Sequence, residues 1–323
     1  MRWLYAIAYA IATAAAFKPR TVIVSGATGR TGRAVIDALL KDDATTVAAL
    51  VRNESKAAAV LPVHSRLKTV VVDVEDAIAL GAACEGADAA IWCATGLATD
   101  PEKLIDEVGL PVIAKALPKA AKDAPPTVVM LSSAGVTRPS WRSRKQRRLE
   151  RAYDIPIVRM NPAGILGKKV KAERALAKAT SAFCVVRPCG LNDDWPSGRP
   201  VFSQGDVAVG RTNREDVATV LVAALDNASA RGKTFEMLSL KGYPAPASFD
   251  AAFDALGHGT PSSSAVDAQY ALLQQLLPGV EQDPTRLEMG RSYEQVDAGE
   301  VDRQKGSAPT EREKAVAAGA LGN

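Results

Sequence analysis

Histidine and cysteine are scarce in this sequence, and their scarcity narrows the chemistry open to the chain. Only His64 and His258 occur among 323 residues, and neither has a second histidine or cysteine at the spacing of metal ligands. A structural metal is therefore not expected, and both histidines are interpreted as surface or packing residues. The cysteines lack CxxC spacing, which favours reduced, mostly buried thiols over a disulfide framework. They are Cys84, Cys93, Cys184 and Cys189.

The sequence also lacks an apolar run long enough to predict a membrane span, although it begins with a shorter one. Residues 1–16 comprise a positively charged start, an apolar stretch and a run of alanines, the pattern of a signal-type targeting segment. The boundary between Ala16 and Phe17 resembles the bipartite presequences of algae with secondary plastids. That resemblance implies a plastid protein that is not integral to a membrane after processing, although the transit region before the first predicted strand is very short. The alternative is an uncleaved anchor or a misassigned start, and with it a cytoplasmic protein.

What the sequence does contain is a cluster of glycines between an apolar run and a helical pattern, in the stretch VIVSGATGRTGRAVIDALL. Thr21–Ser25 is short, continuous and rich in β-branched residues, as expected of a strand buried on both faces. Val35 and Leu39 stand four residues apart, which indicates a helix that packs one stripe on a sheet. A glycine turn before a helix N-terminus suits a bound phosphate, and an ordinary strand-to-helix turn is the alternative. The glycines are Gly26, Gly29 and Gly32.

Apolar runs typical of strands alternate with helical stretches along most of the chain. The runs lie at 21–25, 46–51, 68–73, 88–93, 127–132, 183–187 and 234–239. This alternation predicts an α/β fold, a doubly wound parallel sheet with helices on both faces, over residues 17–257. Residues 258–323 are predicted to be a helical extension and then a polar tail whose composition does not favour folding. The tail is interpreted as disordered, with docking of a partner as the alternative.

The sequence of the glycine turn, SGATGRTGR, resembles that of the NAD(P)-binding, NmrA-like branch of the atypical short-chain dehydrogenase/reductases. Further matches follow in the family's order over about residues 21–239: ALVRN, VVVDVED, IWCATG, VVMLSSAGV, KVKAERAL, FCVVRPCGL and NREDVATVLVAAL. Together these matches are far more specific than the glycines alone. The resemblance implies a Rossmann-like fold, a dinucleotide cofactor and a possible oxidoreductase activity, and it does not identify a substrate.

The resemblance also implies which residues contact the cofactor. The glycine turn, with Thr28, Arg30 and Thr31 between its glycines, would hold the pyrophosphate. Asp73 and Val74 match the adenine-contacting position. The segment after the fourth strand would pass beneath the ribose, and the ends of the fifth and sixth strands would lie beside the nicotinamide. The residues of these last regions are Ala94, Thr95, Gly96, Ser132, Ser133, Pro188 and Cys189.

The choice between NAD and NADP depends on the end of the second strand. An acidic side chain there accepts hydrogen bonds from the ribose 2′-hydroxyl of NAD, whereas an arginine pairs with the 2′-phosphate of NADP. This chain has Arg52, and Arg30 in the glycine turn is predicted to approach the same phosphate from the other side. NADP(H) is therefore the predicted cofactor. The alternative is that both arginines are solvated surface residues.

The tyrosine that active members of the resembling family use as a proton donor is missing. Those enzymes lower its pKa with a lysine four residues later, but no tyrosine of this chain has that lysine. In the matching helix, GILGKKVKAERAL, Ile165 occupies the place four before Lys169. In one interpretation Lys169 or Lys171 holds the ribose or orients a substrate, and in the other both are exposed lysines of an amphipathic helix. The catalytic candidates are Ser132, Ser133, Lys169 and a water molecule.

Cys189, in RPCGL, stands where the family usually has a small residue close to the nicotinamide. A thiol at this place is either a redox sensor or a small filler beside the cofactor. The filler is favoured, because nothing in the sequence indicates the lowered pKa that a reactive thiol needs.

A short basic segment, RPSWRSRKQRRLERAY, combines cations with Trp141 and Tyr153 in a way that is typical of nucleic-acid or acidic-protein surfaces. The formal net charge of the chain is only +4, so this surface is local. Relatives in the wider family include organellar RNA-associated and assembly factors, and a non-catalytic, NADP(H)-sensing factor that acts through Arg142–Arg151 is the alternative function. A solvated basic helix is the plainer interpretation. The cations are Arg138, Arg142, Arg144, Lys145, Arg147, Arg148 and Arg151.

Overall fold

The predicted strands form one sheet in a computed structural model, which describes residues 20–276. The strands are β1 (Arg20–Ser25), β2 (Thr45–Val51), β3 (Leu67–Val71), β4 (Ala89–Trp92), β5 (Val128–Leu131), β6 (Phe183–Pro188), β7 (Gly190–Leu191), β8 (Arg199–Ser203), β9 (Arg211–Thr212) and β10 (Lys233–Leu240). Within the described residues, the main sheet has eight strands in the order β3-β2-β1-β4-β5-β6-β10-β8, and β7 pairs with β9.

Neighbouring strands of the main sheet are parallel except at one edge. β1 pairs with both β2 and β4, so that Val22 lies opposite Val47 on one side and Ala89 on the other. The strand order therefore changes direction between β1 and β4. In doubly wound sheets such a change opens a crevice at the carboxyl ends of the strands, where ligands bind. At the edge, β8 runs antiparallel to β10.

Helices cover both faces of the sheet, which confirms the predicted doubly wound α/β fold. They are α1 (Arg30–Leu39), α2 (Glu54–Val60), α3 (Ala77–Ala83), α4 (Ile105–Ala116), α5 (Ser143–Arg148), α6 (Glu150–Tyr153), α7 (Pro156–Met160), α8 (Ile165–Ala179), α9 (Arg214–Asp226), α10 (Asp250–Asp254) and α11 (Ser263–Leu276). Short 3-10 turns lie at Arg138–Ser140, Pro162–Gly164 and Ala228–Ala230.

An apolar layer on each face stabilises the sheet. On one face, Ile36 of α1 and Leu221 of α9 pack with Val24. On the other face, Leu110 of α4 packs with Met130. Each fully buried side chain of this size contributes about 1.5–3 kcal/mol. Because side chains alternate between the faces of a strand and both faces are covered, the central strands β4 and β5 consist of apolar residues only.

Residues 188–200, whose glycine and proline content predicts a loop late in the domain, contain more regular structure than expected. β7 lies near its beginning and β8 begins at its end. Pro200 is tolerated in β8 because this strand is at the sheet edge, where a residue without an N–H group does least harm. A short edge strand with proline lacks the continuous apolar run that marks the buried strands. The prediction of a loop was wrong at these two places for that reason.

Some predicted segments lie outside the described residues. The predicted targeting segment at 1–16 and the predicted tail are among them, whereas residues 263–276 of the helical extension form α11. Between residues 20 and 276, no helix is long and apolar enough to cross a bilayer. The same range holds no group of three or more His, Cys, Asp or Glu side chains that could bind a metal ion.

The four cysteines are free thiols and all are buried, as expected. Burial raises the pKa of Cys84 to about 11 and the pKa of Cys93 to about 12. A buried thiolate would lose its hydration, so these thiols stay protonated at neutral pH. They act as small apolar side chains of the core.

Candidate functional site

The glycine turn packs closely against the end of β4. Gly26 has a φ of +63°, and a Cβ atom on it would lie 2.7 Å from the backbone nitrogen of Ala94. A Cβ atom on Gly32 would lie 2.1 Å from the carbonyl oxygen of Gly26. Side-chain carbons do not approach backbone atoms so closely, and a φ of this sign is unfavourable for residues other than glycine. Gly26 and Gly32 therefore allow β1, α1 and β4 to meet.

The middle glycine of the turn begins α1. Gly29 is the N-cap residue, and its backbone is extended. The helix has no side-chain cap at this end and no acidic residue in its first turn, which contains Arg30 and Thr31. Its first amides and its partial positive charge therefore lie at the carboxyl edge of the sheet, where they can hold a phosphate.

Ser25, which no sequence pattern singles out, joins the glycine turn to the opposite wall of the crevice. Its side chain is fully buried, and its hydroxyl oxygen accepts hydrogen bonds from the backbone nitrogens of Cys93 (3.2 Å) and Ala94 (3.3 Å). This contact positions the predicted segment from Ala94 to Gly96. The available signal was a polar residue that ends an apolar strand directly before the first glycine.

Two threonine hydroxyls beside the crevice lack a hydrogen-bond partner within the described residues. They are the buried Oγ1 atoms of Thr31, in α1, and Thr95, after β4. An unsatisfied buried hydroxyl costs about 1–3 kcal/mol, and a bound phosphate or ribose would supply the missing partner. A dinucleotide fits all three features of this place, namely the two hydroxyls, the uncapped start of α1 and the glycine turn packed against β4.

The predicted adenine side of the crevice lies after β2 and β3. Arg52 directly follows β2, and its side chain is exposed. Asp73 accepts a hydrogen bond from the backbone nitrogen of Glu75 at 2.9 Å, and the neighbouring Val74 is buried. β2 and β3 are parallel to β1, so these residues lie at the same edge of the sheet as the glycine turn.

Arg30 forms an ion pair with Asp193, in the segment between β7 and β8, at 3.2 Å. The same carboxylate lies 2.5 Å from the guanidinium group of Arg214 in α9. Asp193 therefore links the glycine turn to the later half of the chain. Such a half-exposed pair is worth about 0–1 kcal/mol, so a competing phosphate could displace it. The approach of Arg30 to a 2′-phosphate beside Arg52 stays a prediction.

The ends of β5 and β6 bring the residues of the predicted nicotinamide side together. The backbone nitrogen of Ser132 donates to the carbonyl oxygen of Val186 (2.7 Å), and that of Ala134 donates to the carbonyl oxygen of Pro188 (3.0 Å). Cys189 follows directly and is buried, and burial raises the pKa of its thiol to about 12. A protonated, enclosed thiol favours the small filler over the redox sensor.

Both serine candidates for catalysis donate to partners inside the protein. The hydroxyl of Ser132 donates to Oε1 of Glu173, in α8, at 2.5 Å. The hydroxyl of Ser133 donates to the carbonyl oxygen of Ala134 at 2.9 Å. Neither proton is directed at an acceptor in the crevice.

The interpretation of α8 as a helix with exposed lysines is wrong for Lys169. Its side chain is buried, and Nζ lies 3.3 Å from Oδ1 of Asp106 in α4, which is also buried. The two residues are 63 positions apart in the sequence, so spacing along the helix could not reveal the pair. Lys171 is exposed. Breaking a buried pair of this kind costs about 3–5 kcal/mol, so Lys169 stabilises the contact between α8 and α4.

Glu173 belongs to a chain of buried charges that extends away from Ser132. Its carboxylate accepts two hydrogen bonds from Arg187 of β6, from Nε at 2.9 Å and from Nη2 at 2.5 Å. Nη1 of the same guanidinium lies 3.9 Å from Oε1 of Glu236 in β10. Burial acts to lower the pKa of Arg187, but the Glu173 carboxylate outweighs it and the pKa is raised.

Glu236 and Asp206 continue this chain toward the loop after β5. Oε2 of Glu236 accepts hydrogen bonds from the backbone nitrogens of Asp206 (2.9 Å) and Val207 (3.3 Å). The Asp206 carboxylate accepts from the backbone nitrogen of Gly135 (2.6 Å) and from the hydroxyl of Thr137 (2.7 Å). Burial, reinforced by Asp206, raises the pKa of Glu236 to about 8. Glu236 is therefore mostly protonated at neutral pH.

Arg138 and Trp141 do not belong to the exposed basic surface that the sequence predicts. Arg138 is fully buried, and its Nε donates to the carbonyl oxygen of Asp206 at 2.8 Å. Trp141 is also buried, and its indole N–H donates to the Thr137 hydroxyl at 3.2 Å. The partners of Arg138 are distant in sequence, so its burial could not be predicted. The exposed cations of the segment are Arg142, Arg144, Arg147, Arg148 and Arg151.

In this sheet the strand order changes direction between β1 and β4, and a glycine turn packed against β4 leads there into a helix without a side-chain cap. This combination defines a Rossmann-type NAD(P)-binding protein. A family model described as NAD(P)H-binding matches residues 26–228. The chain belongs to this NAD(P)H-binding family, in agreement with the NAD(P)-binding resemblance predicted from the sequence.

Relatives are found in plants and bacteria. Two uncharacterized proteins of Arabidopsis thaliana, both named as chloroplastic, are similar to this chain. One is 30% identical and covers 69% of this chain and 78% of its own, and the other is 28% identical over 72% and 74%. The crystal structure of the oxidoreductase YlbE from Lactococcus lactis shares the fold, with a TM-score of 0.55 and 18% identity over 75% of this chain and 100% of that chain.

Replacing Glu173 should test the chain of buried charges. We expect Glu173→Ala to lower the free energy of unfolding by about 3–5 kcal/mol, because Arg187 would stay buried without its carboxylate. Urea denaturation followed by circular dichroism measures the change. Glu85→Ala removes an exposed glutamate and serves as the matched control, with an expected change below about 0.5 kcal/mol. Equal losses in the two variants would contradict the buried pair.

Proposed function

We propose that the protein is an NADP(H)-dependent oxidoreductase of the atypical short-chain type that works without the YxxxK tyrosine. The observation that carries the proposal is the glycine turn packed against the end of β4, together with the uncapped start of α1 and two threonine hydroxyls that have no hydrogen-bond partner among the described residues. When bound, NADPH supplies a hydride to an acceptor. The residues of the chain bind and orient the cofactor.

Each part of the crevice suits one part of the cofactor. The first amides of α1 would hold the pyrophosphate, and the hydroxyls of Thr31 and Thr95 would gain hydrogen-bond partners. Arg52 would pair with the 2′-phosphate, since a guanidinium group presents a planar fork of donors to phosphate oxygens. Ser132 and Pro188 would lie beside the nicotinamide. The exposed position of Arg52 directly after β2 supports NADP(H) over NAD(H).

The predicted catalytic residues are poorly arranged to donate a proton to an acceptor beside the nicotinamide. The Ser132 hydroxyl donates to Glu173, which Arg187 holds in a bidentate pair. Lys169 is paired with Asp106. A serine hydroxyl is moreover a weak acid at neutral pH, so proton delivery to a simple ketone is unfavourable. These contacts support a specialised acceptor that needs little general acid catalysis from the protein, or one protonated by water.

The preference for NADPH depends on Arg52. We expect the protein to bind NADPH at least about tenfold more tightly than NADH, because a charge-assisted pair with the 2′-phosphate is worth about 1.5–3 kcal/mol. Arg52→Ala should remove this preference and leave the affinity for NADH unchanged, as measured by isothermal titration calorimetry. Arg174→Ala, an exposed arginine of α8, is the control and should keep the preference. Equal affinities of the wild-type protein for the two cofactors would refute the assignment.

A second candidate function is an NADP(H)-sensing factor that binds RNA or an acidic protein. It is supported by the exposure of four arginines around α5, namely Arg142, Arg144, Arg147 and Arg151. We expect Arg144→Glu with Arg147→Glu to weaken RNA binding about tenfold or more in a filter-binding assay at low salt, since phosphate contacts dominate such affinity. Arg174→Glu with Lys178→Glu, two exposed cations of α8, is the matched double charge reversal elsewhere. RNA binding that is absent, or equally sensitive to both changes, would count against this candidate.

The protein is further proposed to act in a plastid. The support comes from the chloroplastic names of the two Arabidopsis relatives and from the signal-type pattern of residues 1–16. A fluorescent protein fused after residue 20 should enter the secretory route and reach plastids in an alga with secondary plastids. A fusion in which Leu4 and Ile7 are changed to Asp is the control, because charges disrupt the apolar stretch. Diffuse cytosolic fluorescence from the unaltered fusion would contradict the proposal.

A further inference from the structure

A cavity of about 570 Å³ lies on the sheet face opposite α9. Its floor carries Arg187 of β6 together with Thr234 and Glu236 of β10. Their neighbours Val186 and Phe235 point to the other face and pack with α9, as the alternation of side chains along a strand requires. Of the described residues that line this cavity, none is predicted to contact the cofactor. The cavity is therefore distinct from the cofactor crevice.

The walls of the cavity come from the segment around α5 and from α11. Trp141, just before α5, and Lys145, within α5, line one wall, and Val266 of α11 lines the other. The Lys145 ammonium lies 4.0 Å from the centroid of the Trp141 ring, a cation–π contact. Arg148 and Asp267 form an ion pair at 3.2 Å between the two helices. This pair holds the walls together at the rim.

Among the described residues, one positive group of the cavity makes no ion pair. Arg187 is paired with Glu173, and Asp206 is paired with Arg138. This group is Lys145, which the carboxyl groups of Asp206 and Glu236 attract without forming an ion pair with it. Burial lowers the pKa of Lys145, as expected of an ammonium group that has lost part of its hydration. The wall of the cavity thus presents a partly desolvated cation.

We propose that this cavity binds a small organic anion, separately from the cofactor, with the anionic group at Lys145 and the apolar part between Trp141 and Val266. The cavity volume lies in the range of small-molecule sites, about 300–1,000 Å³. A carboxylate, sulfonate or phosphate would replace the lost hydration of Lys145 with a charge-assisted hydrogen bond. Ser263, in the first turn of α11, also lines the cavity, and the N-terminus of this helix adds partial positive charge.

Glu236 makes anion binding depend on pH. Its carboxyl group lines the cavity and faces Arg187 from β6, Asp206 from the loop after β8, Arg138 from the turn after β5 and Lys145 from α5. Burial, and then the Asp206 charge, raises the pKa of Glu236 to about 8. Below that pH the group is neutral, and above it an ionised carboxylate repels an anion. The affinity for an anion should therefore fall as the pH rises through about 8.

The test uses 8-anilinonaphthalene-1-sulfonate, an aromatic anion that becomes fluorescent in apolar sites, titrated into the full chain at pH 7 with saturating NADP⁺. Lys145→Met should weaken binding of this probe about tenfold, because it removes the cation, and Lys145→Arg should largely retain it. Arg144→Met and Arg147→Met are matched controls on the same helix. Both arginines are exposed and lie outside the cavity, so their removal should change the affinity by less than about twofold.

Two results of this titration would overturn the proposal. Equal weakening by Lys145→Met and by both controls would mean that the whole basic surface attracts the probe, as it would attract an acidic macromolecule. Disappearance of the fluorescence when NADP⁺ is added would place the probe in the cofactor crevice. Circular dichroism of each variant separates lost binding from lost folding. If Lys145→Met does not fold, Lys145→Gln, which also removes the charge, should show the same weakening of about tenfold.

The pH profile supplies an independent measurement. The dissociation constant of the wild-type protein for the probe should rise about tenfold between pH 7 and pH 9, as Glu236 ionises. The glutamine of Glu236→Gln cannot ionise, so the dissociation constant of this variant should rise much less. The rise that remains comes from proton loss by Lys145, whose pKa is lowered by burial. Identical pH profiles of the dissociation constant for the wild-type protein and Glu236→Gln would show that Glu236 does not affect anion binding.

Discussion

The close contact between the glycine turn and the end of β4 is the constraint on which the cofactor crevice depends. A side-chain carbon on Gly26 or Gly32 would overlap backbone atoms, so these two positions must stay glycine for β1, α1 and β4 to meet. Ser25 then holds the far wall through its hydrogen bonds to Cys93 and Ala94. With both walls placed, the uncapped amides at the start of α1 lie where the strand order changes direction, the place where doubly wound sheets bind ligands.

A chain of buried charges separates this crevice from the cavity beside α5. It begins at Ser132 and continues through Glu173 and Arg187 to Glu236. The interior accepts these groups because each charge has a partner of opposite sign or, as at Glu236, is largely neutralised by protonation. The same chain takes the Ser132 hydroxyl away from the crevice. Stability of the fold and the orientation of the Ser132 hydroxyl thus have one physical origin.

Most of the fold could be predicted because the information was local. β1 and the other central strands are continuous apolar runs, and the spacing of Val35 and Leu39 marks the buried stripe of α1. β8 could not be predicted in the same way, since an edge strand with Pro200 lacks such a run. In the crevice the glycines were recognisable from their place between a strand and a helix. Ser25 was not, because its role appears only when β4 lies beside β1.

The sequence by itself determined the order of the buried strands and the helices between them, the glycine turn and the arginine after β2, since each of these features depends on residues a few positions apart. Only the tertiary structure decided which charged side chains are buried. Lys169 and Arg138 have the sequence surroundings of exposed residues, yet Asp106 and Asp206, 63 and 68 positions away, pair with them in the interior. A charge is stable away from water only beside an opposite charge, and it is the packing of distant segments that brings the two together.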